Sequence, residues 1–84
     1  MTSKEKIKEV IGMLNEIEED ITVPKNVKLK IKEVIETLKD DKEMSIKVNT
    51  ALNELDELAD DANVQPYTRT QLYGVVSLLE KISD

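Results

Sequence analysis

Apolar residues in this 84-residue chain recur at helical spacing in four stretches, and the second pair of stretches repeats the first at a shift of 41 residues. Ile7, Val10, Ile11, Leu14, Ile17 and Ile21 follow the i, i+3, i+4, i+7 pattern that turns one face of an α-helix toward a core. Val27, Ile31, Val34, Ile35 and Leu38 do the same, as do Met44, Val48, Ala51, Leu52, Leu55, Leu58, Ala59 and Ala62, and finally Leu72, Val75, Val76, Leu79 and Ile82. Sliding the chain along itself by 41 places Leu14 on Leu55, Asp20 on Asp61, Val23 on Val64, Val34 on Val75 and Leu38 on Leu79. Val10 falls on Ala51, Ile11 on Leu52, Ile17 on Leu58 and Ile31 on Leu72. A chain with this pattern is all-α. Helices are expected near 3–20, 24–39, 43–61 and 66–82, paired as two tandem helical hairpins, about 3–39 and 43–82, within a single domain, 1–84.

The breaks between helices differ in kind. Pro24 and Pro66 suit the first turn of a helix, where a missing N–H leaves nothing unsatisfied, and Asp20-Ile21-Thr22 and Asp61-Ala62-Asn63 put short polar side chains just before them. The prolines are 42 apart, so the second turn is one residue longer before its proline. The central break at Asp40, Asp41 and Lys42 has no Gly or Pro; a lapse in apolar periodicity and a possible Asp41 cap mark it. One continuous helix from 24 to 61 is the alternative there. Short turns between helices of this length favour a four-helix up-and-down bundle, with a fragment of a HEAT-like solenoid as the competing architecture.

Composition narrows the chemistry. The chain has no Cys and no His, which removes disulfides, thiol catalysis, thiolate metal sites and the commonest general base. Eighteen Asp and Glu against twelve Lys and Arg give a formal charge of −6, which disfavours long-range attraction to nucleic acid. From Met1 to Lys8 half of the residues are charged and no apolar run occurs, so neither a signal peptide nor a membrane span is expected and a cytoplasmic location is the default.

Few residues carry chemistry beyond this. Glu16, Glu19 and Asp20 share a helix face, and Glu57, Asp60 and Asp61 are their repeat equivalents. Only Mg²⁺ or Ca²⁺ would suit such oxygens, no calcium-loop pattern occurs, and helix capping at the turns is the plainer reading, so no metal or other cofactor is expected. Lys25, Lys28, Lys32 and Lys39 form a stripe along helix 2 that could meet an anion, or the acidic residues of helix 3. Arg69, the one arginine, stands one turn into helix 4, placed to hold an anion or to pair with Asp60 or Asp61. Two tyrosines are too few to interleave a base-stacking surface. No G-x-S-x-G element or glycine-rich phosphate loop is present, and no catalytic residues are assigned: the chain is not expected to be an enzyme.

Asymmetry between the hairpins is more informative. Met13 falls opposite Glu54, Leu29 opposite Thr70, Tyr73 opposite Lys32 and Leu78 opposite Thr37. A repeated core places the same demand on both halves, so Met13, Leu29, Tyr73 and Leu78 are expected on a contact surface outside it.

The stretch Asp20-Ile21-Thr22-Val23-Pro24-Lys25-Asn26-Val27-Lys28, with Ala51-Leu52-Asn53-Glu54-Leu55 and Asp61-Ala62-Asn63-Val64-Gln65-Pro66-Tyr67-Thr68-Arg69-Thr70, resembles the small archaeal proteins of uncharacterised protein family 0147. The likeness covers nearly the whole chain and implies a compact helical fold in a cytoplasmic setting; it assigns no functional residues. The expected function is a non-enzymatic protein-interaction module, working as a homodimer or as an adaptor for another protein and not at a membrane. The alternative is an accessory to nucleic-acid or ribonucleoprotein work through the helix 2 lysines.

Overall fold

A computed structural model of the chain describes residues 2–82; Met1, Ser83 and Asp84 lie outside the described residues. It contains α1 (Ser3–Glu19), α2 (Lys25–Lys39), α3 (Met44–Ala59) and α4 (Pro66–Ile82). Each helix packs on its two neighbours, α1 on α2, α2 on α3, α3 on α4 and α4 on α1, while diagonal partners stay apart. That ring closes an antiparallel four-helix bundle, 32 Å long and about 20 Å across. The α1–α4 contact excludes an open solenoid, and the break between Lys39 and Met44 excludes a continuous helix from 24 to 61.

The 41-residue repeat extends to structure. The helices of the second hairpin begin 41 residues after those of the first, Met44 after Ser3 and Pro66 after Lys25. The extra residue before the second proline therefore leaves the helix start unchanged: Pro24 is the N-cap of α2, outside its first turn, and Pro66 is the first residue of α4. Both positions tolerate proline for one reason, since an N–H at either would have no intrahelical partner. At the start of α1 the Thr2 hydroxyl accepts from the Glu5 N–H at 3.2 Å and donates to the Glu5 carboxylate, a close relative of the capping box.

The core is duplicated nearly position by position. Of its nineteen buried apolar residues, sixteen form pairs at the 41-residue shift: Ile7 with Val48, Val10 with Ala51, Leu14 with Leu55, Ile17 with Leu58, Val23 with Val64, Ile31 with Leu72, Val34 with Val75, and Leu38 with Leu79. Val27 pairs with Thr68, the one buried polar residue among those described and the near-isostere of valine. Antiparallel hairpins exchanged within one bundle meet the same surroundings, so the two halves need the same volumes at the same places.

Two residues of the apolar stripes fall outside this core. Ile21 is 92% exposed and its equivalent Ala62 is exposed too. The cause is local: helical periodicity carries no meaning beyond the helix end, and α1 stops at Glu19 and α3 at Ala59. The Asp20 carboxylate accepts from the Thr22 N–H at 2.9 Å and the Thr22 hydroxyl at 2.7 Å, and the Asp61 carboxylate accepts from the Asn63 N–H at 2.8 Å. These are Asx turns, each closed by an N–H of the buried valine, Val23 or Val64, donating at 3.1 Å to the aspartate carbonyl. Asp20 and Asp61 thus shape the turns from within and do not cap the following helices. The central turn lacks such devices. Glu43, not Asp41, is the N-cap of α3, and it makes no side-chain capping hydrogen bond.

Candidate interaction surface

The four apolar residues that break the repeat separate into two kinds. Met13 and Leu78 are half-buried and pack against the core, which corrects their expected place on a contact surface. Leu29 and Tyr73 are 61% and 53% exposed and remain outside it. They stand on α2 and α4, the diagonal helices, so they mark two separate faces and not one patch. Ile46 and Tyr67, with exposures of 50% and 70%, and Ile21 add further exposed apolar side chains that the residue pattern did not single out. For Ile21 the available signal was its place just beyond a helix end, where stripe membership no longer implies burial; Tyr67 stands in the first turn of α4, outside any stripe.

Met13 and Leu78 belong to a seam exchange. Exchanging the hairpins maps the α2–α3 seam onto the α4–α1 seam, carrying Thr37 to Leu78 and Glu54 to Met13 at the shift of 41. Across α2–α3 the Thr37 hydroxyl donates to the Glu54 carboxylate at 3.0 Å as well as to the Glu33 carbonyl of its own helix. On the α4 side, Met13 reaches Gly74, its Cε lying 3.7 Å from where a Cβ on that glycine would stand, an ordinary contact distance. One seam is therefore polar and the other apolar, and the two differences read separately in the sequence are the two halves of one substitution.

The polar seam holds a shallow groove of about 140 Å³ lined by Lys30, Glu33, Glu54 and Glu57. Lys30, which is not one of the stripe Lys25, Lys28, Lys32 and Lys39, is the lysine that lines this groove beside acidic residues of α3. Of that stripe, Lys25, Lys32 and Lys39 are exposed and Lys28 is half-buried. Hydrogen bonds from the Thr22 hydroxyl and N–H hold the Asp20 carboxyl below its ordinary range, with the Lys28 ammonium adding a smaller pull in the same direction. Among the described residues no group of three or more carboxylates is placed to hold a metal ion. No described helix is long and apolar enough to cross a membrane.

The Arg69 guanidinium is turned toward backbone carbonyls. Its Nε donates to the Ala59 carbonyl at 2.8 Å, and its Nη2 donates to the carbonyls of Asp61 at 3.3 Å and Val64 at 3.2 Å. The guanidinium fork satisfies the orphan carbonyls at the C-terminus of α3 and along the following turn, which a positive charge there also favours. Its repeat equivalent is Lys28, so the basic residue recurs at both proline turns while the three-carbonyl clamp belongs to the second.

Comparison with known proteins places this geometry. The profile of the uncharacterised protein family UPF0147 matches residues 1–82. The UPF0147 protein MJ1419 of Methanocaldococcus jannaschii is 40% identical over 84 residues, covering 96% of this chain and 88% of its own length. The UPF0147 protein Ta0600 of Thermoplasma acidophilum is 41% identical over 76 residues, covering 89% of this chain and 86% of its own. Two crystal structures share the fold at 36% identity. The protein of unknown function MMP1188 superposes with a TM-score of 0.91 over 96% of this chain and 93% of its own, and a UPF0147 protein from Thermoplasma acidophilum with a TM-score of 0.90 over 96% of each. The duplicated helical hairpin described above is accordingly a member of the uncharacterised protein family UPF0147.

Proposed function

We propose that the protein is a non-enzymatic interaction module that serves as an adaptor between other polypeptides. The observation that carries this reading is the exposure of Leu29 and Tyr73, large apolar side chains that the duplicated core does not require and that have polar counterparts in the other hairpin. Their positions on diagonal helices support two contact faces, which suits an adaptor better than a homodimer with a single patch. The alternative, an accessory to nucleic-acid work, draws on the exposed Lys25, Lys32 and Lys39. Salt separates the two, because lysine contacts to phosphates weaken steeply as salt rises and apolar contacts change little.

The experiment compares wild type with Leu29→Glu and Tyr73→Glu. Each variant keeps wild-type helicity and melting, because both side chains lie outside the core. In affinity capture from the native cell followed by mass spectrometry, each loses a specific protein that the wild type retains, and retention survives 0.5 M salt, about five times the ionic strength at which the Debye length is ~10 Å. Identical protein capture by wild type and both variants, or retention of nucleic acid alone, overturns the proposal.

A further inference from the structure

We infer that the chain exchanges hairpins with a second copy of itself through the turn between α2 and α3. This rests on the hinge and on the faces the hairpins bury against each other, and is independent of Leu29 and Tyr73.

The three turns differ in how firmly they are made. Both proline turns carry an Asx turn and a closing backbone hydrogen bond, and the second adds the Arg69 clamp. The central turn, Asp40-Asp41-Lys42-Glu43, has no Gly or Pro, no residue with positive φ, no side-chain cap and no closing bond of that kind. Beyond the ordinary hydrogen bonds at the two helix ends, its one tie is the Lys47 ammonium donating to the Asp40 carbonyl at 3.2 Å. Nothing in its residues forbids the α-helical conformation. If the turn straightens, α2 and α3 join as one helix from Lys25 to Ala59.

The geometry of the bundle accepts the exchange. The α2 and α3 helices are antiparallel neighbours, so two straightened chains related by a two-fold axis at the hinge run antiparallel to each other. In each resulting bundle hairpin 1 of one chain meets hairpin 2 of the other, and every α2–α3 and α4–α1 contact of the monomer is remade. The core volumes are unchanged because the same residues meet. What opposes exchange is mass action: the short tether presents the second hairpin at an effective concentration in the millimolar range, so the monomer dominates in dilute solution.

The test uses wild type, an Asp40→Ala/Asp41→Ala chain and a chain with two glycines inserted between Asp41 and Lys42. Each is refolded from denaturant at about 1 mM, near the effective concentration of a short tether, and resolved by size exclusion with light scattering. Raising the helix preference of both hinges increases the dimer association constant by about ten- to a hundredfold over wild type, and the glycine insertion lowers it. In a dimer formed from equal parts of isotopically labelled and unlabelled chains, filtered NOEs connect core methyl groups of hairpin 1 in one chain with those of hairpin 2 in the other. A monomer in the Asp40→Ala/Asp41→Ala sample overturns the inference. So does a dimer without intermolecular core NOEs, which is association through the exposed surface and leaves the adaptor reading standing.

Discussion

Converting the polar seam into its apolar counterpart tests whether the hairpins are truly interchangeable. In Thr37→Leu/Glu54→Met, the α2–α3 seam acquires the pair that Leu78 and Met13 supply between α4 and α1. Either single change removes the 3.0 Å hydrogen bond between the Thr37 hydroxyl and the Glu54 carboxylate. A net hydrogen bond contributes about 0.5–1.5 kcal/mol, and this one sits near the low end because water reaches Glu54 in the groove. In Glu54→Met, Thr37 keeps its bond to the Glu33 carbonyl, and Thr37→Leu alone sets an apolar side chain against a solvated carboxylate, so each single variant loses about 0.5–1 kcal/mol. The double variant half-buries two long apolar side chains, about 1 kcal/mol each, and comes out more stable than wild type by roughly 0.5–2 kcal/mol. Removing one of three groove carboxylates around Lys30 works in the same direction. Urea unfolding followed by circular dichroism measures all four corners of the cycle, with a constant denaturant slope as the check that the native state is preserved. If the two changes add to within about 0.5 kcal/mol, or the double variant is the least stable, the seams are not equivalent and the mapping fails.

Other outcomes follow from the same geometry. Leu14→Ala, Leu55→Ala, Leu38→Ala and Leu79→Ala should each cost about 2–5 kcal/mol, the range for truncating a fully buried leucine; wild-type melting of any of them would contradict its place in the core. Arg69→Ala leaves the Ala59 and Val64 carbonyls without this donor, while the Asp61 carbonyl keeps the Val64 N–H, and should cost about 1.5–3 kcal/mol; Arg69→Lys should recover only part of this because an ammonium cannot reproduce the planar fork. Because the Asp20 carboxyl titrates below its ordinary value of 3.8 in the folded protein, its stabilising effect is complete above that value and is lost as the pH falls through the lower, folded one. The stability gap between wild type and Asp20→Ala should therefore be level from neutral pH to about pH 5 and shrink in stronger acid, and NMR titration of Thr22→Val should show the carboxyl moving back up. A gap that widens in acid would reverse the sign of this linkage.

Much of the fold is written in short-range pattern. Helical periodicity in an 84-residue chain determines four amphipathic elements, and the 41-residue repeat pairs Leu14 with Leu55 and Leu38 with Leu79, because equivalent places in a duplicated bundle must hold equivalent volumes. The stop signals Asp20-Ile21-Thr22 and Asp61-Ala62-Asn63 were legible as breaks, but their aspartates read as helix caps, whereas each closes an Asx turn within its own loop. Periodicity went too far only at Ile21 and Ala62, where it continued past the last helical hydrogen bonds. What the sequence could not contain was the meeting of distant residues. Met13 and Leu78 are 65 positions apart and read alone as surface anomalies; only a closed ring of helices makes them the counterpart of Thr37 and Glu54. Likewise the charge of Arg69 suggested an anion or a pair with Asp60 or Asp61, while the packed turn offered three carbonyls within its reach, and a guanidinium with five donors goes where acceptors converge. Repeat equivalence says which positions correspond, but which of them touch is decided when the hairpins dock.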